Sequence, residues 1–203
     1  MFNNGSDNLM EKLAGRLTNI VLLGFFCVLF SIPIITAGAS FTALNSAMKS
    51  HLYDDNDKPL KLFLSVFKEK FGLSTKVWAL HLLAIAVLIW DFVYYRVGES
   101  TLDTLASAGI FVLICFLAFE VLMVFVVISQ GMNEKVFGVI KTALDLSFTC
   151  VKESLMILVI TSTVILASIF LFRGLIPFVP GIISYLSWQI IPQMLKKYKF
   201  KIR

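Results

Sequence analysis

The feature that most constrains this chain is a series of apolar runs, each about as long as a bilayer-crossing helix. Such a helix takes about 20 predominantly apolar residues, and runs of this length recur along the 203 residues. Hydrophobic residues make up 58% of the sequence and charged residues 15%, whereas a soluble domain is about 45–50% apolar and about 25% charged. The sequence therefore predicts an all-α integral membrane protein, with residues 1–203 forming a single membrane domain.

About five transmembrane helices are predicted from these runs, together with short amphipathic helices on the cytoplasmic side. The last of the five is short and carries three prolines, which are poorly tolerated inside helices. The predicted spans cover about residues 17–37, 77–95, 105–129, 155–172 and 177–194.

The distribution of lysine and arginine predicts the orientation of the chain in the bilayer. Five crossings place residues 38–76, residues 130–153 and the C-terminal tail on one side of the membrane, and these segments hold fourteen basic residues. The segments on the opposite side hold four. Because basic loops stay in the cytoplasm, we expect a cytoplasmic C-terminus and an external N-terminus, and spans that are all helical favour an inner (cytoplasmic) membrane. A first span that does not fully cross is an alternative, since Lys12 and Arg16 fall on the external side.

The N-terminal region also resembles a cleaved signal peptide. Lys12 and Arg16 precede an apolar run that ends in Ala37-Gly38-Ala39, a small-residue pattern found at cleavage sites. Cleavage there would leave a loop with six lysines outside, against the charge rule. We therefore favour a retained first span.

Two polar connections show the periodicity of amphipathic helices. In the first, apolar residues recur at helical spacing over residues 60–71, with Pro59 at the expected start and Gly72 at the expected stop. The second repeats the pattern at Ile140, Ala143, Leu144, Phe148 and Val151. Basic helices of this kind either lie in the headgroup plane or pack on the protein's own cytoplasmic face.

The first apolar run ends in a stretch of unusual chemistry, SIPIITAGASFTALNS. Pro33 removes a helical hydrogen bond, Thr36 can donate to a freed carbonyl, and Gly38 permits a turn. Ser40 then fits the N-cap of a short surface helix, with its apolar stripe at Phe41, Leu44, Met48 and Leu52. The stretch is either a capped exit from the membrane or a broken backbone that lines a polar cavity.

Glu120 is the clearest candidate functional residue, because it falls near the middle of the third span. An ionisable side chain there costs about 2.5–3.5 kcal/mol to insert, and His81 in the second span lies at a similar depth. Three interpretations stay open for this pair: an interhelical hydrogen bond that fixes packing, a contact with a partner membrane protein, and a path for a solute or proton.

No motif for catalysis, cofactor binding or metal binding is recognisable. The sequence lacks H-E-x-x-H, G-x-S-x-G and a glycine-rich phosphate loop, and Cys27, Cys115 and Cys150 are interpreted as packing residues. The basic residues behind the net charge of +5 flank the spans. This position favours anionic lipid headgroups over nucleic acid as their partner. We expect no enzymatic activity, cofactor or metal.

Three motifs give the chain a family resemblance. SIPIITAGASFTAL, FKEKFGLSTKVWAL and IPFVPGIISYLSWQII followed by a basic tail resemble the YesL-type family of small bacterial membrane proteins. The resemblance implies an accessory role in saccharide uptake, because the genes of this family commonly lie beside those of ATP-binding-cassette transporters for carbohydrates. It names no catalytic or binding residue.

These observations together predict a non-enzymatic, multi-pass membrane protein that assists or regulates carbohydrate uptake by an ATP-binding-cassette transporter. Its partners would be anionic lipid headgroups and the permease subunits of that transporter. The alternative is a small autonomous transporter or channel with a polar site around Glu120 and His81.

Overall fold

The chain is an all-α membrane protein. The computed structural model describes residues 4–54, 58–98, 100–170 and 173–202, and these contain helices and turns but no strand. Two short 3₁₀ helices, Ile34–Thr36 and Arg173–Phe178, separate longer elements. The α-helices are α1 Asn4–Ser31, α2 Ala37–Tyr53, α3 Pro59–Val97, α4 Thr101–Ser129, α5 Val136–Thr149, α6 Val151–Phe170, α7 Val179–Trp188 and α8 Ile191–Ile202.

Within these described residues, four helices are long and apolar enough to cross a membrane. They are α1, α3, α4 and α6, and they contain most of each of the first four predicted spans. The fifth predicted span, residues 177–194, is not one continuous helix: it comprises the end of the 3₁₀ helix Arg173–Phe178, the 10-residue α7, a turn at Gln189–Ile190 and the start of α8. Pro192, the second residue of α8, has no backbone N–H to donate to a preceding helical turn. A helix break just before Pro192 therefore loses one hydrogen bond fewer than a break before a non-proline residue would.

Helix α3 is longer than expected. The sequence predicts a separate amphipathic helix that stops at Gly72, but α3 runs without interruption for 39 residues from Pro59 to Val97. Pro59 takes the predicted place in its first turn. Gly72 does not end the helix, because the cost of an interior glycine, about 1 kcal/mol relative to alanine, is small beside the packing on either side of it.

Helix α2 is buried, which corrects the prediction of a surface helix. Its most extensive contacts are with α3, and it also contacts α1, α4 and α7. Leu44 and Met48 of the predicted stripe are buried, but so are polar residues on other faces, including Thr42 and Asn45. The helix is enclosed by its neighbours, and its polar side chains find their partners inside the protein.

Helix α5 is amphipathic as predicted, although its buried face is rotated from the predicted one. Ala143 is buried as expected, together with Val139 and Leu146. Phe148, which the pattern assigned to the apolar face, is 65% exposed, and Val151, assigned to the same face, is 50% exposed and belongs to α6. Helix α5 packs mainly on α4, and that contact selects the buried face.

The core lies at one end of the α3–α4 hairpin. The last buried residue of α3 is His81, and every buried residue of α4 except Ser107 lies from Glu120 onward. The outer half of this hairpin, or outer hairpin, comprises residues 82–97 of α3 and 101–119 of α4 and extends beyond the core. The two ionisable residues predicted to be functional therefore mark the boundary between these halves.

Candidate functional site at the base of the α3–α4 hairpin

The break after α1 is built largely as predicted. Pro33 takes an extended conformation (φ −73°, ψ 111°) and precedes the 3₁₀ helix Ile34–Thr36. The Thr36 hydroxyl lies within hydrogen-bond distance of the carbonyl oxygens of Phe30 and, at 2.8 Å, Pro33. The prediction that Thr36 satisfies a freed carbonyl is confirmed.

Gly38 and Ser40 have different roles from those predicted. Gly38 is part of α2, where an added Cβ would lie 2.7 Å from the Cβ of Trp78 and 2.8 Å from the carbonyl oxygen of Ser74. It is therefore needed for the close approach of α2 to α3, not for a turn. Ser40 is not the N-cap: it lies in the first turn of α2, is fully buried, and donates to the Thr36 carbonyl at 3.1 Å.

Trp78 connects this break to the α3–α4 hairpin. Its indole N–H donates to the carbonyl oxygen of Ile34 at 2.6 Å, and its ring centroid lies 6.0 Å from that of Phe125 on α4. Phe125 in turn stacks on Phe41 of α2, also at 6.0 Å. Three aromatic side chains thus join α2, α3 and α4 one helical turn from His81.

His81 and Glu120 form a direct, buried contact between α3 and α4. The His81 Nε2 atom hydrogen-bonds Oε2 of Glu120, and the two side chains are 5% and 2% exposed. The other ring nitrogen, Nδ1, lies 2.8 Å from the carbonyl oxygen of Val77. The contact that the sequence predicts from similar depths is present.

The carbonyl of Val77 helps to fix the orientation of the His81 ring. A carbonyl oxygen only accepts, so Nδ1 of His81 must carry a hydrogen. The hydrogen bond between Nε2 and Oε2 of Glu120 needs a further hydrogen between these two atoms. The two hydrogen bonds of His81 therefore fix the orientation of its ring, one toward Val77 on its own helix and one toward α4.

One oxygen of Glu120 is left without a partner. Oε1 is buried and makes no hydrogen bond in the described part of the protein, a condition that usually calls for a ligand, water or functional explanation. Among the clefts formed by described residues, one is lined by residues of the α3–α4 hairpin between Ala86 and Asp103 and another lies between α2, α4, α6 and α7; neither of these two has Glu120 or His81 in its lining.

A polar cluster around α2 is missing from the sequence-based prediction. Asn45 Oδ1 accepts from the indole N–H of Trp188 at 3.2 Å and from the Ser184 hydroxyl at 3.5 Å. Thr42 donates to the Gly38 carbonyl, and its hydroxyl contacts that of Ser74 at 2.9 Å. The available signal was the concentration of Ser, Thr and Asn in a segment too short to span the bilayer.

The described residues contain no cluster of three or more His, Cys, Asp or Glu that could hold a metal ion. Cys27, Cys115 and Cys150 form no disulfide; Cys27 and Cys150 are buried and Cys115 is exposed.

Comparison with known proteins finds a family model that is similar to part of this chain. A family model described as "Protein of unknown function, DUF624" matches residues 17–92. The match covers the break at Pro33–Ser40, α2 and most of α3, including His81, and it ends before Glu120. No curated protein and no solved structure matches the chain. Over residues 17–92, the protein is therefore similar to a family whose function is unknown.

Proposed function

We propose that this membrane protein is a non-enzymatic accessory or regulatory component of carbohydrate uptake by an ATP-binding-cassette transporter. The resemblance to the YesL-type family supports the carbohydrate part, and the match to DUF624 is consistent with that resemblance. The structural observation that carries the proposal is the exposure of the outer half of the α3–α4 hairpin, which offers apolar helix faces to another membrane protein.

The outer hairpin is a pair of helices that pack on each other and on little else in the described residues. Only 11% of the most apolar 18-residue stretch of α3 is buried inside the protein. The ring centroids of Phe92 and Phe111 lie 6.1 Å apart and join the two helices. The outward faces of both helices are free for lipid or for the helices of a partner.

Gly109 gives the outer hairpin a place where a partner helix can approach closely. A Cβ built on Gly109 meets no atom within 4 Å, so its backbone faces open space. Membrane helices associate through close packing at small residues, because lipid tails remove the hydrophobic drive that operates in water. A second helix at Gly109 would gain such packing.

Affinity purification from the native host tests the proposal, with Gly109→Leu as the probe. The substitution fits within the protein itself, so we expect normal membrane levels but at least several-fold loss of co-purifying permease subunits, measured by mass spectrometry. Gly72→Leu is the matched control, because Gly72 is also helical and also free of neighbours within 4 Å, yet lies outside the outer hairpin. It should retain the subunits.

Purification of the wild-type protein without permease subunits, together with unchanged sugar uptake on its deletion, would contradict the accessory role. Loss of the permease subunits in both Gly109→Leu and Gly72→Leu would show that the outer hairpin is not the docking element.

The basic segments support an inner-membrane location with a cytoplasmic C-terminus. An external N-terminus follows if five segments cross. A first segment that does not fully cross, as Lys12 and Arg16 before it allow, would leave four crossings, with both termini on the cytoplasmic side. Reporter fusions at each terminus distinguish the two arrangements.

A second candidate function is a small autonomous transporter or channel. It is favoured by the buried His81–Glu120 pair with an unpartnered Glu120 oxygen, since ionisable residues at membrane depth often mark solute or proton paths. In a variant lacking Cys27, Cys115 and Cys150, Glu120→Cys should react with a small, membrane-impermeant thiol reagent if water reaches this depth. Val124→Cys, buried one turn away, is the control, and an unreactive Glu120→Cys would contradict a path.

A further inference from the structure

The C-terminal helix α8 has two contrasting faces. One face is buried against the protein through Ile191, Met194 and Tyr198. The other face is exposed and carries Lys196, Lys197 and Lys199. Between Ile191 and Lys199, where burial is described, the exposed residues of α8 are Gln193 and the three lysines.

Contacts with the start of α6 fix the level of α8 relative to the bilayer. The Cys150 thiol donates to the Met194 carbonyl at 3.6 Å, and Lys197 Nζ lies 3.3 Å from Oε1 of Glu153. Helix α6 begins at Val151 and is one of the helices apolar enough to cross a membrane. The middle of α8 therefore lies beside the first turn of a spanning helix, where lipid headgroups begin.

The charges around this turn are mainly positive. Lys152, at the start of α6, is exposed like the lysines of α8. The negative charge of Glu153 is partly neutralised by Lys197. Burial, and then the negative charge of Asp145, raise the pKa of Tyr198. Lys196 and Lys199 form no salt bridge with any residue that the structure describes. Their charge is available to an anion outside the protein.

We propose that Lys152, Lys196 and Lys199 form a binding surface for the headgroups of anionic phospholipids. The phosphate of such a lipid accepts hydrogen bonds from lysine ammonium groups, and the position beside the first turn of α6 places these groups at headgroup level. Each lysine near an anionic membrane surface strengthens attraction by about fivefold. An acidic protein segment is disfavoured as the ligand of these lysines, because it would have to displace lipid headgroups beside the first turn of α6.

Counting bound lipids on the intact protein tests the proposal. Purified protein in mild detergent is titrated with phosphatidylglycerol or, separately, with phosphatidylcholine of the same acyl chains, and bound lipid is counted by native mass spectrometry. We expect the wild-type protein to retain phosphatidylglycerol in preference. The triple variant Lys152→Gln, Lys196→Gln, Lys199→Gln should lose about tenfold or more of this binding.

The matched control is the double variant Lys61→Gln, Lys68→Gln, which neutralises two exposed lysines on α3 far from α8 in the chain. It should bind phosphatidylglycerol as the wild-type protein does, and both variants should melt at unchanged temperature if they fold normally. Equal binding of the two lipids by the wild-type protein would overturn the proposal, as would equal losses in the two variants. Either result would favour an acidic protein segment at α8, and neither bears on the outer hairpin or the transporter.

Discussion

His81 and Glu120, 39 positions apart in the sequence, hydrogen-bond each other at the level where the α3–α4 hairpin enters the core. On the outer side of this contact both helices are largely exposed, and on the inner side they pack against α2. Because both side chains are buried, Nε2 of His81 and Oε2 of Glu120 depend on each other for a partner, and the pair joins α3 to α4 at the level where the core begins.

Replacing one member of the pair should be more harmful than replacing both. Glu120→Leu leaves Nε2 of His81 buried without a partner, at a cost of about 1–3 kcal/mol in the free energy of unfolding. Removing both polar groups in His81→Leu, Glu120→Leu should recover much of this loss. Melting temperatures in detergent report the difference.

Glu120→Gln is the control for this prediction, since its amide can still hydrogen-bond Nε2 and keeps the side-chain shape. It should melt close to the wild-type protein. A double leucine variant as unstable as the sum of the two single variants would show that the residues are not coupled.

Gly38→Val should separate α2 from α3. A Cβ at residue 38 would meet the Cβ of Trp78 at 2.7 Å and the Ser74 carbonyl at 2.8 Å, and a helix backbone cannot yield without losing the Thr42–Ser74 contact. We expect a loss of about 1–3 kcal/mol or more, typical of overpacking, seen as a lower melting temperature.

Gly72→Ala is the matched substitution in an open helical position, and it should leave stability unchanged or raise it by up to about 1 kcal/mol. Equal destabilisation by the two substitutions would mean that Gly38 is not the point of close approach.

Asn45→Ala should destabilise the contact between α2 and α7. The substitution leaves the indole N–H of Trp188 buried without its acceptor, which typically costs about 1–3 kcal/mol. Removing the donor as well, in Asn45→Ala, Trp188→Phe, should cost less than the two single changes together. Strict additivity of the melting-temperature changes would contradict a hydrogen bond between these residues.

Stability should fall at alkaline pH through Tyr198. Burial of its hydroxyl, and then the charge of Asp145, raise the pKa of Tyr198 above its ordinary value. The folded state therefore holds this proton more tightly than the unfolded state, so the stabilisation is complete below about pH 10 and is lost as the pH rises through the raised pKa.

The variant Tyr198→Phe keeps the ring and removes the titrating group. Melting temperatures between about pH 8 and 11 should fall less steeply in this variant than in the wild-type protein. Parallel curves would show that other groups, such as the lysines, cause the alkaline loss.

Local constraints explain what the sequence predicts correctly. A bilayer requires long apolar helices with internally satisfied backbone, so α1, α3, α4 and α6 are recognisable from their apolar runs. His81 and Glu120 lie at similar distances from the neighbouring helix ends, Val97 of α3 and Thr101 of α4, and helices this close in the chain are expected to lie side by side. Their contact is therefore predictable without other information.

Long-range packing explains what the sequence does not predict. The burial of α2 depends on partners far away in the chain, such as Trp188 for Asn45 and Ser74 for Thr42. Gly38 has the composition of a turn residue, and only the proximity of Trp78 gives it a packing role. Likewise, nothing near Gly72 indicates that the apolar segments on its two sides form one helix.

The unbroken course of α3 has a mechanical consequence. Its 39 residues extend about 58 Å at 1.5 Å per residue, nearly twice the roughly 30 Å of a bilayer's hydrocarbon interior. The helix is therefore one rod, with lysines toward its first end and Trp90 and Tyr94 near its far end. Because no break interrupts it, the segment that packs on α2 and the exposed far segment keep a fixed orientation to each other.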